Sequence, residues 1–169
     1  MIINRQFAMP NGNTFQIKPI KALIEKYIKG KEVIVDPFAN SNKFVTITND
    51  LDTQYDTTYH MDALDFLKIL EDNSVDVVLW DPPYSPRQVS ECYKKFGMTV
   101  TIETTQSSYW SKQRKEIARI VKPGGYVLSF AWNSTGIGDK YGFEHIEILL
   151  VPHGGQHNDT ICTVEQKKK

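Results

Sequence analysis

The chain has 169 residues and balances 20 Lys+Arg against 20 Asp+Glu, so its formal net charge is zero. That length suits one domain, residues 1–169, large enough to bury a full core. A neutral balance excludes a protein that coats nucleic acid by charge alone, while a local basic face on a neutral body stays open. Hydrophobic residues at 40% and charged ones at 24% describe an ordinary globular chain. Two cysteines, Cys92 and Cys162, cannot build a disulfide framework. With no signal peptide at the start and no apolar run long enough to span a bilayer, a cytoplasmic protein without membrane contact is expected.

In chain order, residues 17–28 carry Ile20, Leu23, Ile24, Tyr27 and Ile28 at helical spacing, with Gly30 as the stop. Residues 32–35 read as a short strand ending at Asp36-Pro37, and residues 44–48 as a second ending at Asn49-Asp50-Leu51-Asp52. A brief third strand is expected at 59–61, then a helix over 63–70 with Leu64, Leu67 and Leu70 on one face. Residues 75–80 form the most apolar strand and run straight into Asp81-Pro82-Pro83-Tyr84. Residues 111–121 read as a helix closed by a Lys122-Pro123-Gly124-Gly125 turn before a strand at 126–130. Two further strands, 145–151 and 160–165, flank the polar turn 153–159. Alternating strands and helices predict an α/β fold, a mainly parallel sheet with helices on both faces and a C-terminal antiparallel hairpin.

Ligands of open parallel sheets bind at the carboxyl ends of strands, which is where Asp81-Pro82-Pro83-Tyr84 falls. Two successive prolines fix φ and remove two backbone donors, leaving carbonyls that can only accept hydrogen bonds. Asp81 adds a carboxylate acceptor. A planar amino group has two N–H donors, which an Asp oxygen and a proline carbonyl can hold together. Tyr84 offers a ring face for a flat heterocycle. The set suits an exocyclic amine on an aromatic base.

These residues resemble the amino-group DNA methyltransferases, the adenine-N6 and cytosine-N4 enzymes that use S-adenosylmethionine. Asp81-Pro82-Pro83-Tyr84 matches their D/N-P-P-Y/F/W motif, and Asp36-Pro37-Phe38-Ala39-Asn40-Ser41-Asn42 stands where they carry D-P-F-x-G-x-G. Thr14-Phe15-Gln16-Ile17-Lys18-Pro19 leads into a helix as their T-Q-K-P segment does, so the likeness spans roughly residues 14–165. It implies a Rossmann-like methyltransferase fold with S-adenosylmethionine across the ends of the first three strands. Asp36, Pro37, Phe38 and Asn40 would approach its methionine part, and Asp50 its ribose, with Asp52 in the same turn as a rival. Asp62 and Ala63 would lie near its adenine, while Phe15, Lys18 and Pro19 close the pocket.

The implied chemistry is direct transfer to the N6 amine of adenine in DNA, flipped or single-stranded, with Asp81, Pro82, Pro83 and Tyr84 as the catalytic set. Adenine in RNA, cytosine N4, a protein glutamine amide, and a non-catalytic DNA-binding remnant are the rival readings. No metal is called for; His153 and His157 are expected to line a polar hairpin. Departures from the pattern are expected to show in the structure. Asn40 and Asn42 replace two glycines, and asparagine is the next best residue for positive φ. Asp36 and Asp50 are 14 positions apart, against about 20 in the dinucleotide-binding fingerprint. The first crossover helix is therefore expected to shrink to a turn. No target-recognition region fits in this length. Residues 85–110 are the one candidate loop, with Arg87, Lys94 and Lys95 set among Tyr93, Phe96, Tyr109 and Trp110 for phosphate contact and stacking, or else as a lid. Size and motif suggest a compact, phage-like enzyme, and a homodimer would supply the missing grip on DNA.

Overall fold

The computed structural model describes residues 1–169 except the side chain of Thr105. Its sheet contains β1 (Ile2–Arg5), β2 (Ile34–Asp36), β3 (Ile47–Thr48), β4 (Val75–Trp80), β5 (Val121–Ala131), β6 (Phe143–Val151) and β7 (Thr160–Lys167). They lie in the order β1-β6-β7-β5-β4-β2-β3. All run parallel except β7, which is inserted antiparallel between β5 and β6. The expected α/β architecture is present, with the closing hairpin folded into the sheet rather than hung on its edge.

Helices cover both faces because β4 alternates. Val77 and Leu79 point into one buried cluster with Ile20, Leu23 and Ile24 of α1 (Lys18–Ile28). Val78 and Trp80 point into the other, with Phe66 and Leu67 of α2 (Ala63–Ile69) and Ile117 and Ile120 of α4 (Ser108–Ile120). A period of two thus serves two cores at once, which is why the strand reads as a continuous apolar run. Truncating a side chain such as Phe66, which has no exposed surface, should cost about 3–5 kcal/mol.

Between β2 and β3 there is no helix. Residues 37–46 cross as turns, and Asn40 sits at φ 51, the left-handed conformation expected where the glycine pattern fails. Several details differ from the sequence reading, among them the second strand, which keeps only 47–48 of the expected 44–48. β1 was not foreseen. The strand at 59–61 is reduced to one bridge, Asn49 to Tyr59. The Lys122-Pro123-Gly124-Gly125 turn is the irregular start of β5, where a Cβ on Gly125 would lie 2.9 Å from the Asp76 carbonyl. Residues 85–110 are no loop: α3 (Pro86–Lys95) fills much of the segment, capped by Ser85, whose Oγ accepts from the Gln88 N–H. Serine before proline is a helix-start signature, so the signal was available. No helix among the described residues is long and apolar enough to cross a membrane.

Candidate active site

From β2 the chain passes to β3 on one side, and β4 pairs on the other, so the carboxyl ends of β2 and β4 flank the point where strand order reverses. Asp36 ends β2 and Asp81 follows β4. Asp36 has no exposed surface; its Oδ1 accepts from the Phe38 N–H at 3.0 Å, while its Oδ2 has no partner. Burial holds the Asp36 carboxyl well above the usual range, opposed by the Phe38 bond and reinforced by the Asp81 and Asp50 charges. Asp50 Oδ2 accepts from the Asn40 N–H at 2.8 Å, so it also fixes the turn that carries Phe38.

Asp81 is half-buried. Its Oδ1 accepts from the Tyr84 hydroxyl at 2.6 Å. Burial pushes its pKa up to about 6, moderated by hydrogen bonds from Tyr84 and Thr14. The two proline carbonyls have separate fates. Pro83's accepts from the Trp110 indole at 3.0 Å; Pro82's meets no donor among the described residues. Asp81 therefore lies beside one tied carbonyl and one that is uncommitted, in a cleft of about 340 Å³ shared with Thr14, Phe38, Tyr84 and Gln88. Tyr84 meets Trp132 edge-on, ring centroids 5.5 Å apart. Trp132, just past the end of β5, is a second aromatic wall that had no motif to flag it.

A smaller crevice of about 110 Å³ adjoins through Phe38 and Pro83 and takes in Pro37, Asp50, Leu51, Asp62 and Ala63. Asp62 caps α2 through Oδ1, at 2.9 Å from the Leu64 nitrogen, and its Oδ2 accepts from the Tyr93 hydroxyl. Asp52 is spent elsewhere, on Gln54 and on Lys95 at 3.1 Å. Asn49, unforeseen as a site residue, is buried and joins the turn to the far wall, donating to the carbonyls of Pro37 and Met61 at 3.0 Å each.

Other sequence candidates lie outside this constellation. Phe15 is core, 4.8 Å from the Phe130 ring; its neighbour Thr14 reaches the cleft. Lys18 and Pro19 open α1 without lining either cavity. Arg87 pairs with Glu91 along α3, Lys95 with Asp52, and Lys94 is exposed. Tyr93 and Tyr109 are buried together with Val89. Tyr93 and Tyr109 thus form a wall of the crevice, while Trp110 turns to the other side of the Pro82-Pro83 turn. His153 has both ring nitrogens 2.8 Å from oxygens, those of Ala8 and Thr160.

No family model and no curated protein matches this sequence. Solved structures do match. The 1,6-didemethyltoxoflavin-N1-methyltransferase of Burkholderia thailandensis, which holds S-adenosylhomocysteine, aligns over 90% of this chain and 78% of its own, with TM-score 0.62 at 10% identity. A SAM-dependent methyltransferase from Archaeoglobus fulgidus aligns over 89% and 94%, TM-score 0.61 at 12% identity. TrmN from Thermus thermophilus aligns over 90% of this chain and 49% of its own, TM-score 0.58 at 14% identity. The chain has the methyltransferase fold. The turns after β2 and β4 lie close enough for the Asp81 charge to act on Asp36, but Asp36 is fully buried and lines neither cavity; its neighbours Pro37 and Phe38 do so instead.

Proposed function

We propose that the protein is an S-adenosylmethionine-dependent methyltransferase acting on the N6 amine of adenine in DNA. The observation that carries the reading is the pairing of the Asp81 carboxylate with the uncommitted Pro82 carbonyl, in a cleft that opens onto the acid-lined crevice.

The residues present fit the cofactor. The Asp81 and Asp50 charges raise the proton affinity of the buried Asp36, and no Lys or Arg lines either cavity. A ligand with fixed positive charge would relieve that repulsion. Leu51, Met61, Val89 and Tyr109 give the crevice apolar walls suited to a flat base. S-adenosylmethionine, when bound, supplies a methyl group on a positively charged sulfur. Asp81 and the Pro82 carbonyl would accept the two N–H bonds of the target amine and turn its lone pair toward that methyl. Asp81, whose pKa lies near 6, is placed to take the proton the amine must lose. Positioning and electrostatics supply the rate, and no residue forms a covalent bond. Both cysteines have raised pKa values, Cys162 by burial and Cys92 by burial and the nearby Asp50 charge, which suits neither to nucleophilic attack.

The test is incubation with methyl-labelled S-adenosylmethionine and separate pools of DNA, RNA and protein. Label on adenine of DNA supports the reading; label on RNA, cytosine or protein moves the substrate. Calorimetry showing no cofactor binding at millimolar ligand would leave the non-catalytic DNA-binding reading.

A further inference from the structure

Beyond the Pro82-Pro83 turn, away from the acids, lies a cavity of about 400 Å³ between the end of β5 and the first half of α4. Its size falls within the roughly 300–1,000 Å³ of ligand pockets. Trp80, Trp110, Tyr84, Pro82 and Pro83 give it aromatic and apolar walls. No Asp or Glu lines it, and its charged group is Arg114. The guanidinium lies 5.5 Å from the Trp80 ring and donates through Nε to the Gly136 carbonyl at 2.8 Å. It forms no ion pair among the described residues, because the nearby Glu165 carboxylate is committed to the N–H groups of Ile137 and Gly138.

Ser129 lines the same space. It is 4% exposed and its Oγ has no partner. Buried polar groups left unmatched in this way are costly unless something else satisfies them. A guanidinium without an ion-pair partner, a spare hydroxyl and aromatic walls describe one ligand chemistry, a flat base carrying a phosphate.

We propose that this cavity holds a nucleotide, its base against Trp110 and Tyr84 and its phosphate on Arg114, as the unit adjoining the acceptor base. The proposal rests on the nucleic-acid reading above, and Pro82 and Tyr84, which line both spaces, make the two units neighbours. The nucleotide comes either from a strand or free from solution.

The experiment titrates the full chain with deoxyadenosine, dAMP and a single-stranded hexanucleotide by calorimetry, without cofactor. dAMP should bind about tenfold tighter than deoxyadenosine. Arg114→Gln should bring that ratio to about one and leave deoxyadenosine binding unchanged, while Arg114→Lys keeps part of it. Ser129→Ala should weaken dAMP by about threefold without lowering the melting temperature, since it removes an unpartnered hydroxyl. A hexanucleotide that outbinds dAMP in an Arg114-dependent way identifies a strand as the source; one that does not identifies the free nucleotide. Equal binding of dAMP and deoxyadenosine by the native chain, or a ratio that survives Arg114→Gln, overturns the proposal. Asp81→Ala keeps the two readings apart, because it should lower transfer by about 10²–10³-fold and spare the phosphate-dependent ratio.

Discussion

One turn, Pro82-Pro83, separates two spaces of opposite character. On the β2 side stand Asp50, Asp62 and Asp81, with hydrogen-bond acceptors and no cation. On the α4 side stand Arg114, Ser129 and tryptophan rings, with donors and no acid. Both lie at the carboxyl ends of parallel strands, β2 and β3 for the one and β4 and β5 for the other, so strand geometry does not make the difference. Loop sequence does: the turn after β2 is Asp-Pro-Phe, and the loop after β5 is Trp-Asn followed by glycines. A methyl donor with positive charge and an acceptor with negative charge would each find the complementary side, meeting at Asp81.

If the acid side is the chemical side, Asp81→Ala should lower methyl transfer by about 10²–10³-fold, as lost hydrogen-bonding groups at reacting atoms do. Cofactor binding, measured by calorimetry, should change little; equal losses in both would merge the two spaces into one. The pH profile gives the next largest effect. Asp81 titrates near 6 in the folded protein, above its ordinary value, so it is a carboxylate above that pH and loses its acceptor role below. Transfer should fall about tenfold per pH unit on the acid side, and Asp81→Asn, which keeps an acceptor oxygen, should flatten that limb. For stability the sign is opposite: the ionised Asp81 is disfavoured by burial, a cost present above pH 6 and relieved as the pH drops through it.

Asp36→Asn should weaken S-adenosylmethionine by about tenfold, more than it weakens the demethylated product, whose sulfur is neutral, while thermal stability holds or rises because the substitution removes the desolvation cost of a buried carboxyl. Glu165→Gln tests the other side. Its carboxylate anchors the 136–138 segment through two N–H bonds, so the change should cost about 1–3 kcal/mol in urea unfolding and loosen the α4-side cavity first. Lys95→Ala should leave the urea midpoint almost unchanged, since its pair with Asp52 is exposed on the lysine side.

Much of this arrangement could be read from residue order. The continuous apolar run of β4 showed a strand buried on both faces, and Asp-Pro-Pro-Tyr placed at its end a turn whose prolines carry no donors, although the Pro83 carbonyl is taken by Trp110. The short span from Asp36 to Asp50 foretold a crossover without a helix. β1 escaped because an edge strand of four exposed residues buries nothing that leaves a pattern. α3 escaped because its apolar face is only Val89 and Tyr93, narrow against a polar surround. Glu165 and Arg114 could not be read at all. Their roles depend on a loop 27 or more residues from one and 22 from the other, a proximity only the folded sheet creates.

The Trp110 indole, bonded to the Pro83 carbonyl, has company: Trp80 lines the same cavity, and Trp132 meets Tyr84 across the cleft. These are all three tryptophans of the chain. Ultraviolet emission from the native protein is therefore a report on this one turn, and occupancy of either side can be followed optically, in real time, without attaching a dye.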